Sequence, residues 1–226
     1  MNISALIPIS EVSQVGEARR RIGSLAINIG LSETVRGQVA IVVTELGNNL
    51  VKHTGGRGGS LVFRALSGEE GLGIEILSLD QGPGMSNVAL CMTDGYSTAG
   101  SPGTGLGAVS RLSSCFDIYS LPTGGTAILS KIMEPSLSFA SPSPSSASLE
   151  IGCVCIPYPG EVVSGDALDA KLPESAGSLL IVDGLGHGVQ AYAAAQEAVK
   201  SFRDHSFISL SKMIENIHFA LKSTRG

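Results

Sequence analysis

A Pro/Ser-rich segment near the middle of the chain, PSLSFASPSPSSAS at residues 135–148, limits what the chain can fold into. The segment offers few side chains to bury, and its prolines lack the backbone N–H that helices and sheets use. We therefore expect a linker here, between one domain at 1–134 and another at 149–226. A chain of 226 residues, 43% of them hydrophobic, can supply a core for each.

Charge and hydropathy exclude two classes of partner. The formal net charge of -5 argues against a nucleic-acid partner, which favours a basic surface. The chain has no apolar run of about 18 residues, the length that would span a bilayer. Its first residues, MNISALIPIS, lack the charged start of a signal peptide. We predict a cytoplasmic protein with no membrane partner.

In the first half, helical patterns come before strand patterns. Apolar residues recur at helical spacing from Val12 to Gly30 and again from Val35 to Leu50. Strand patterns follow at SLVFRAL, LGIEILSLD, FDIYSL and TAILSKI, and a helix begins at GLGAVSRL. This order predicts an α+β fold, a sandwich in which helices cover one face of a mixed or antiparallel sheet.

The second of these helices contains TELGNNLVKHT, which carries an unusual polar stripe. Glu45, Asn49 and His53 follow one another at steps of four, so they lie along one side of the helix. The neutral oxygen of Asn49 suits a hard cation such as Mg²⁺. Glu45 could orient or deprotonate an attacking hydroxyl. We expect His53 to be structural.

Three glycine-containing segments complete the pattern. In DQGPGM, Asp80 ends a strand and could accept a hydrogen bond from an exocyclic amine such as that of adenine, while Gly82 and Gly84 let the backbone turn beneath the base. GTGLG (103–107) opens a helix, where backbone amides and the helix dipole favour phosphate. GGT enters the last strand of this half. Each segment alone is weak evidence, but the four motifs in this order predict a nucleotide pocket.

These motifs resemble those of the GHKL ATPase superfamily. TELGNNLVKH is similar to its N box, DQGPGM to its first glycine box, GTGLGAVSRL to its second, and GGTAI to the closing segment that brings Thr126 near the base. The resemblance covers residues 5–133 and is greatest to the anti-sigma-factor/RsbT-type serine kinases. It implies Mg-ATP as cofactor, Glu45 as catalytic residue and segment 92–102 as a mobile lid. The implied nucleotide-binding residues are Asn49 (also the Mg²⁺ ligand), Asp80, Gly82, Gly84, Gly103, Thr104, Gly105, Leu106, Gly107 and Thr126.

In the second half we predict strands at LEIGCVCI, at a segment ending VVSGD, and at GSLLIVDG, then two helices. Two aspartates at neighbouring strand ends could hold a Mg²⁺/Mn²⁺ pair that activates water. DGLGHG resembles the SpoIIE/RsbX-like branch of the phosphatase 2C-like fold, a β-sandwich with helices. That resemblance implies Asp166, Asp183 and the carbonyl of Gly184 as metal ligands. A strand-to-helix turn with a capping aspartate is the alternative.

The phosphatase-like family has further strands with acidic ligands after two such helices. Here the acidic residues that follow Asp183 are Glu197, Asp204 and Glu215, all in helical or helix-linking segments. Either the chain is part of a longer kinase-phosphatase fusion with this domain truncated, or the segment is structural, and we predict no phosphatase activity from it. The leading interpretation is an ATP-dependent protein serine/threonine kinase of partner-switching signalling, acting on a STAS-domain anti-sigma antagonist. A nucleotide-dependent sequestering module and a phosphatase with an ATP-sensing domain are the alternatives. Whether the chain forms a homodimer is left open.

Overall fold

The computed structural model describes residues 4–67, 71–93, 105–135, 151–172, 177–205 and 209–224. These fall into two compact units, a first unit that ends at residue 135 and a second unit that begins at residue 151. The predicted linker lies almost wholly outside the described residues. None of the described helices is both long enough and apolar enough to cross a bilayer.

The first unit is built on a five-stranded antiparallel sheet with strand order β1-β2-β3-β5-β4. Its strands are β1 (Ala5–Ile9), β2 (Gly59–Leu66), β3 (Gly73–Asp80), β4 (Cys115–Leu121) and β5 (Gly125–Met133). Its helices are α1 (Val12–Asn28), α2 (Glu33–Lys52), α3 (Val88–Cys91) and α4 (Gly105–Leu112). The predicted α+β fold with an antiparallel sheet is confirmed for this unit.

The core of the first unit lies between the helices and one face of the sheet, which we call the inner face. Strand β3 shows why, because alternate residues Ile74, Ile76 and Ser78 are buried while their neighbours are less so. Helix α2 supplies a buried stripe that includes Leu46 and Leu50. Burial of these apolar surfaces is the main force that holds the layers together.

Local signals fix where α2 begins. The Ser32 side chain accepts a hydrogen bond from the Val35 N–H at 3.4 Å, which satisfies one of the free amides at the helix start. Glu33 lies in the first turn and Lys52 in the last, so both charges complement the helix dipole. Ser32 is therefore the N-cap of α2.

The opposite, outer face of the sheet carries an ion-pair network across three strands. The Arg64 Nε and Nη2 atoms donate to the two carboxylate oxygens of Glu75 at 2.6 and 3.1 Å, and Lys131 Nζ lies 3.3 Å from Glu75 Oε2. Burial alone would raise the pKa of Glu75, but the hydrogen bonds and charge of Arg64, together with Lys131, hold that pKa below its ordinary value.

The second unit contains a two-stranded sheet of β6 (Ala167–Lys171) and β7 (Ser178–Val182), then α5 (Val189–Asp204) and α6 (Leu210–Leu221). Strand β7 and both helices agree with the sequence prediction. The alanine-rich side of α5 is buried together with Val199 and Phe202. The described part of this unit is therefore one small sheet with two helices, and it does not form the β-sandwich that the resemblance implied.

Two of the predicted strands in this half are wrong. Residues 151–156 of LEIGCVCI form no strand; Val154 and Ile156 are exposed, and two prolines follow at 157 and 159. The segment VVSGD also forms no strand, because Ser164 Oγ accepts a hydrogen bond from the Asp166 N–H at 3.1 Å and makes a local turn. Strand β6 starts after this turn, at ALDAK, whose alternation of apolar and charged residues is a strand signal that sequence reading overlooked.

Candidate functional site

Helix α2 presents the predicted polar stripe beside the start of α4. Glu45 and Asn49 are both half-buried. A Cβ built on Gly105, the first residue of α4, would lie 3.0 Å from Glu45 Oε2, so the carboxylate lies directly against the helix start. Free backbone amides at a helix start attract anions. The fold therefore brings together Glu45, the candidate general base, and the candidate phosphate site, which are far apart in the sequence.

A row of polar residues lies at one end of the sheet, on the inner face. The strand register pairs Asp80 of β3 with Thr126 of β5, and Thr126 with Ser120 of β4. Residues paired in this way project from the same face, with their Cβ atoms about 4.5–5.5 Å apart. The Asp80 Oδ1 atom accepts a hydrogen bond from the Gly82 N–H at 2.7 Å, which leaves its second carboxylate oxygen for a ligand. We call Asp80, Thr126 and Ser120 the base row, after the nucleotide base that Asp80 is expected to bind.

Two glycines next to the base row are required by the backbone. Gly84 has φ +69°, and a Cβ there would lie 1.9 Å from the Leu121 carbonyl oxygen. Gly125 has φ +86°, and a Cβ there would lie 2.1 Å from the Asp80 carbonyl oxygen. Left-handed backbone disfavours any side chain, and these contacts exclude one. The loop after β3 can therefore pass closely over the end of the sheet.

Sequence reading missed two residues that fix this loop. The Ser120 Oγ atom accepts a hydrogen bond from the Met85 N–H at 2.8 Å and lies 2.9 Å from Thr126 Oγ1. Arg57 Nη1 donates to the Gln81 carbonyl at 2.9 Å. No motif marks either residue. A turn at PTGG, residues 122–125, would pair Thr126 with Leu121, whereas the structure pairs it with Ser120. The bond to Met85 follows only from the fold.

His53, the third member of the stripe, is the C-cap of α2. Burial, and secondarily the charge of Lys52, lower the pKa of this imidazole below 6.5. A neutral ring at the end of the helix is consistent with the structural role expected of His53.

The second glycine box is only partly described. Gly103, Thr104 and most of the expected lid at 92–102 lie outside the described residues. Leu106 and Gly107 are buried in α4, and the Leu106 side chain belongs to the core. These two residues could therefore contact a ligand only through their backbone.

With this geometry in place, comparison with known proteins identifies the first unit. The model of the histidine kinase-like ATPase domain matches residues 9–131, from the last residue of β1 to within β5. The chain belongs to this family. It is also 28% identical over 128 residues to the serine/threonine-protein kinase RsbT of Bacillus subtilis (strain 168), an alignment that spans 57% of this chain and 95% of that relative.

Membership of the histidine kinase-like ATPase family implies ATP use, and the residues fit such a ligand. The close glycine contacts around Asp80 make a narrow backbone cradle, and the free backbone amides at the start of α4 would suit phosphate oxygens. A magnesium ion would find a suitable oxygen ligand in the Asn49 amide, since Mg²⁺ prefers oxygen and keeps several waters or phosphate oxygens.

Outside the ATPase domain, the two candidate aspartates of the second unit lie opposite each other. The register pairs Ala167 with Val182, and the Gly184 N–H donates to the Gly165 carbonyl at 3.2 Å, so the pairing continues past Asp166 and Asp183. Both are exposed, and Asp166 precedes its strand where we expected it to end one. Within the described residues no group of three or more acidic, His or Cys side chains is arranged to hold a metal.

Next to these aspartates, His187 is held by two residues that sequence reading missed. Its Nδ1 atom lies 2.7 Å from Glu161 Oε1, and its ring stacks on that of Tyr158 with centroids 4.7 Å apart. The two contacts fix the orientation of an otherwise exposed imidazole at the start of α5.

Proposed function

We propose that the first unit is an ATP-dependent protein serine/threonine kinase that phosphorylates a STAS-domain anti-sigma antagonist in partner-switching signalling. Family membership supports ATP use, and the similarity to a serine/threonine-protein kinase supports protein phosphorylation. The observation that carries the proposal is the position of the Glu45 carboxylate against the first residue of α4, one turn from Asn49.

Each end of the proposed nucleotide has its own residues. The amides at the start of α4 bind phosphate oxygens, and the Asn49 side-chain oxygen binds Mg²⁺. When bound, Mg²⁺ neutralises charge that develops on the phosphates. At the other end, the free oxygen of Asp80 accepts a hydrogen bond from the exocyclic amine of adenine, while its first oxygen is held by Gly82.

Glu45 is the proposed general base. A carboxylate beside the phosphate site can accept the proton of an attacking Ser or Thr hydroxyl, and positioning of that hydroxyl supplies much of the rate enhancement. Its negative charge also lies close to where phosphate binds, so Glu45 costs some affinity for ATP while it promotes transfer.

The test incubates the full chain with γ-labelled ATP and a STAS-domain substrate, with ATP binding measured separately by calorimetry. Asn49→Ala should lose Mg²⁺-dependent binding. Glu45→Gln should bind ATP at least as tightly as the wild type and transfer at least about 100-fold more slowly, the typical contribution of a general base. Glu33→Gln makes the same charge change at the exposed start of the same helix and should leave both quantities unchanged.

Four outcomes distinguish the alternatives. Label on the partner, lost in Glu45→Gln, supports the kinase. A stable complex without label supports a sequestering module. Normal transfer by Glu45→Gln would contradict the role of Glu45 as base, and absence of ATP binding by the folded wild type would contradict the whole proposal.

For the second unit we infer that Asp166, Asp183 and the Gly184 carbonyl are an incomplete metal set in this chain. In the part of the second unit that the structure describes, no third acidic, His or Cys side chain is arranged with these two exposed carboxylates to hold a metal, and two carboxylates are fewer than a two-metal site uses. We expect no release of phosphate from a phosphoserine protein in the presence of Mn²⁺. Release that is lost in Asp183→Asn would contradict this inference.

A further inference from the structure

Ser120 is a half-buried hydroxyl of the base row with three polar neighbours. It lies on β4, at the edge of the sheet. Its Oγ atom is 2.8 Å from the Met85 backbone nitrogen, 2.9 Å from Thr126 Oγ1 and 3.2 Å from the Gly125 carbonyl oxygen. The Ser120 side chain thus connects the loop after β3, the backbone of β5 and the Thr126 hydroxyl.

One arrangement of hydrogens satisfies all three contacts. A serine hydroxyl has one hydrogen and two lone pairs. The Met85 N–H can only donate and the Gly125 carbonyl can only accept, so Ser120 accepts from Met85 and donates to Gly125. Thr126 then donates its hydrogen to the second lone pair of Ser120.

This arrangement leaves Thr126 with only lone pairs to offer a ligand. Its neighbour in the base row, Asp80, is a carboxylate and offers only lone pairs as well. A base that lies against these two side chains meets acceptors from both of them. Two acceptor side chains favour an amine at position 6 of a purine, which donates hydrogen bonds. They disfavour a carbonyl there, since the carbonyl oxygen would face another acceptor with no hydrogen between them.

We propose that Ser120 is a positioning residue that sets specificity for the nucleotide base, because it accepts the hydroxyl hydrogen of Thr126 and binds the Met85 N–H in the loop after β3. The proposal rests on the proposed binding of a nucleotide at this site. It adds that selection of adenine over a 6-oxo purine depends on a residue that acts through Thr126.

The test compares the affinities of ATP and ITP, whose bases differ at position 6, where a carbonyl replaces the amine, and at N1, which carries a hydrogen in ITP. The N1 difference is the same in every variant, so a change in the affinity ratio between variants reports on the protein. Competition against a fluorescent nucleotide gives both dissociation constants without any catalytic step. In Ser120→Ala the Thr126 hydroxyl is free to donate to the ITP carbonyl, so the ratio of ITP to ATP dissociation constants should fall by about 3- to 10-fold, the worth of one hydrogen bond. Ser120→Thr keeps the hydroxyl and should retain the wild-type ratio.

Two controls separate this role from general weakening. In a Thr126→Val background, the Ser120→Ala change should leave the ratio unaltered, because the hydroxyl through which Ser120 acts is gone. Ser113→Ala breaks a hydroxyl pair of the same kind, Ser113 Oγ to Ser130 Oγ at 2.7 Å, away from the base row, and should leave the ratio at its wild-type value.

The outcomes distinguish this inference from the proposed function. ATP binding with an unchanged ratio in Ser120→Ala, or an equal change in the Thr126→Val background, overturns the role of Ser120 alone. Failure of the folded wild type to bind either nucleotide overturns both proposals. Hydrogen exchange at the Met85 amide gives a ligand-free check: Ser120→Ala should accelerate it, and unchanged exchange would contradict the bond that anchors the loop.

Discussion

Replacement of Gly125 by alanine tests whether the close backbone approach at the base row is required. Gly125 and Gly30 have almost the same φ, +86° and +82°. An alanine at Gly30 would contact nothing within 4 Å, whereas one at Gly125 would lie 2.1 Å from the Asp80 carbonyl oxygen. The two substitutions therefore share the cost of a positive φ and differ in the steric contacts of the added Cβ.

The expected magnitudes follow from this difference. Left-handed backbone costs an alanine about 1–2 kcal/mol, which applies to both variants. The overlap at Gly125 adds the cost of moving packed backbone, about 1–3 kcal/mol. Gly125→Ala should lose roughly 2–5 kcal/mol of the free energy of unfolding, a large part of the stability of a typical domain. Gly30→Ala should lose only the first part.

Urea-dependent hydrogen exchange of β3 and β5 amides measures this free energy for the first unit alone, which matters because the full chain has two units. Since the displaced atom belongs to Asp80, Gly125→Ala should also weaken ATP binding, whereas Gly30→Ala should not. If Gly125→Ala lost no more stability than Gly30→Ala, the argument from close approach would be refuted.

Three further predictions concern the first unit. Glu75→Gln should cost about 1 kcal/mol at neutral pH by weakening the pair with Arg64. Because the pKa of Glu75 is lowered in the folded state, the difference in free energy of unfolding between the wild type and Glu75→Gln, measured by urea denaturation, should shrink as the pH falls below 4.5. A difference that stayed constant with pH would contradict this prediction. Because the pKa of His53 is lowered in the folded state, the unfolded chain binds a proton at this imidazole more readily, and the free energy of unfolding of the wild type should decline as the pH falls below 6.5. The free energy of unfolding of His53→Gln should decline less over the same pH range. Equal declines in the two proteins would contradict this prediction. Leu46→Ala, at a fully buried position, should lower the free energy of unfolding by about 2–5 kcal/mol in urea denaturation. A loss below about 1 kcal/mol would contradict this prediction and would indicate that the core collapses around the smaller side chain.

The first unit could be predicted well because its signals are local and agree with one another. Ser32 caps α2 within its own sequence, and the burial pattern of β3 follows its alternation. The contact of Glu45 with Gly105 could be anticipated only because the motifs occur in a familiar order, since no local pattern links those two residues.

The second half was harder because its strand signals were ambiguous. The apolar residues of LEIGCVCI suggested a strand, but a strand also needs a partner, and in the described residues β6 pairs only with β7. The turn at Ser164 was equally hidden, because the hydroxyl bond that makes it competes with the extended conformation of VVSGD. Ser120 was missed for a different reason, as its bond to Met85 joins residues from two separate parts of the chain.

The strand order β1-β2-β3-β5-β4 has a consequence for how the protein is made. Strand β5 leaves the ribosome after every other strand of the first unit, yet it must enter between β3 and β4. Until it does, Asp80 and Ser120 have no common neighbour, because Thr126 joins them. A nascent chain that ends before residue 126 therefore has no base row, so a nucleotide bound at the proposed site could stabilise this unit only after nearly all of it has been translated.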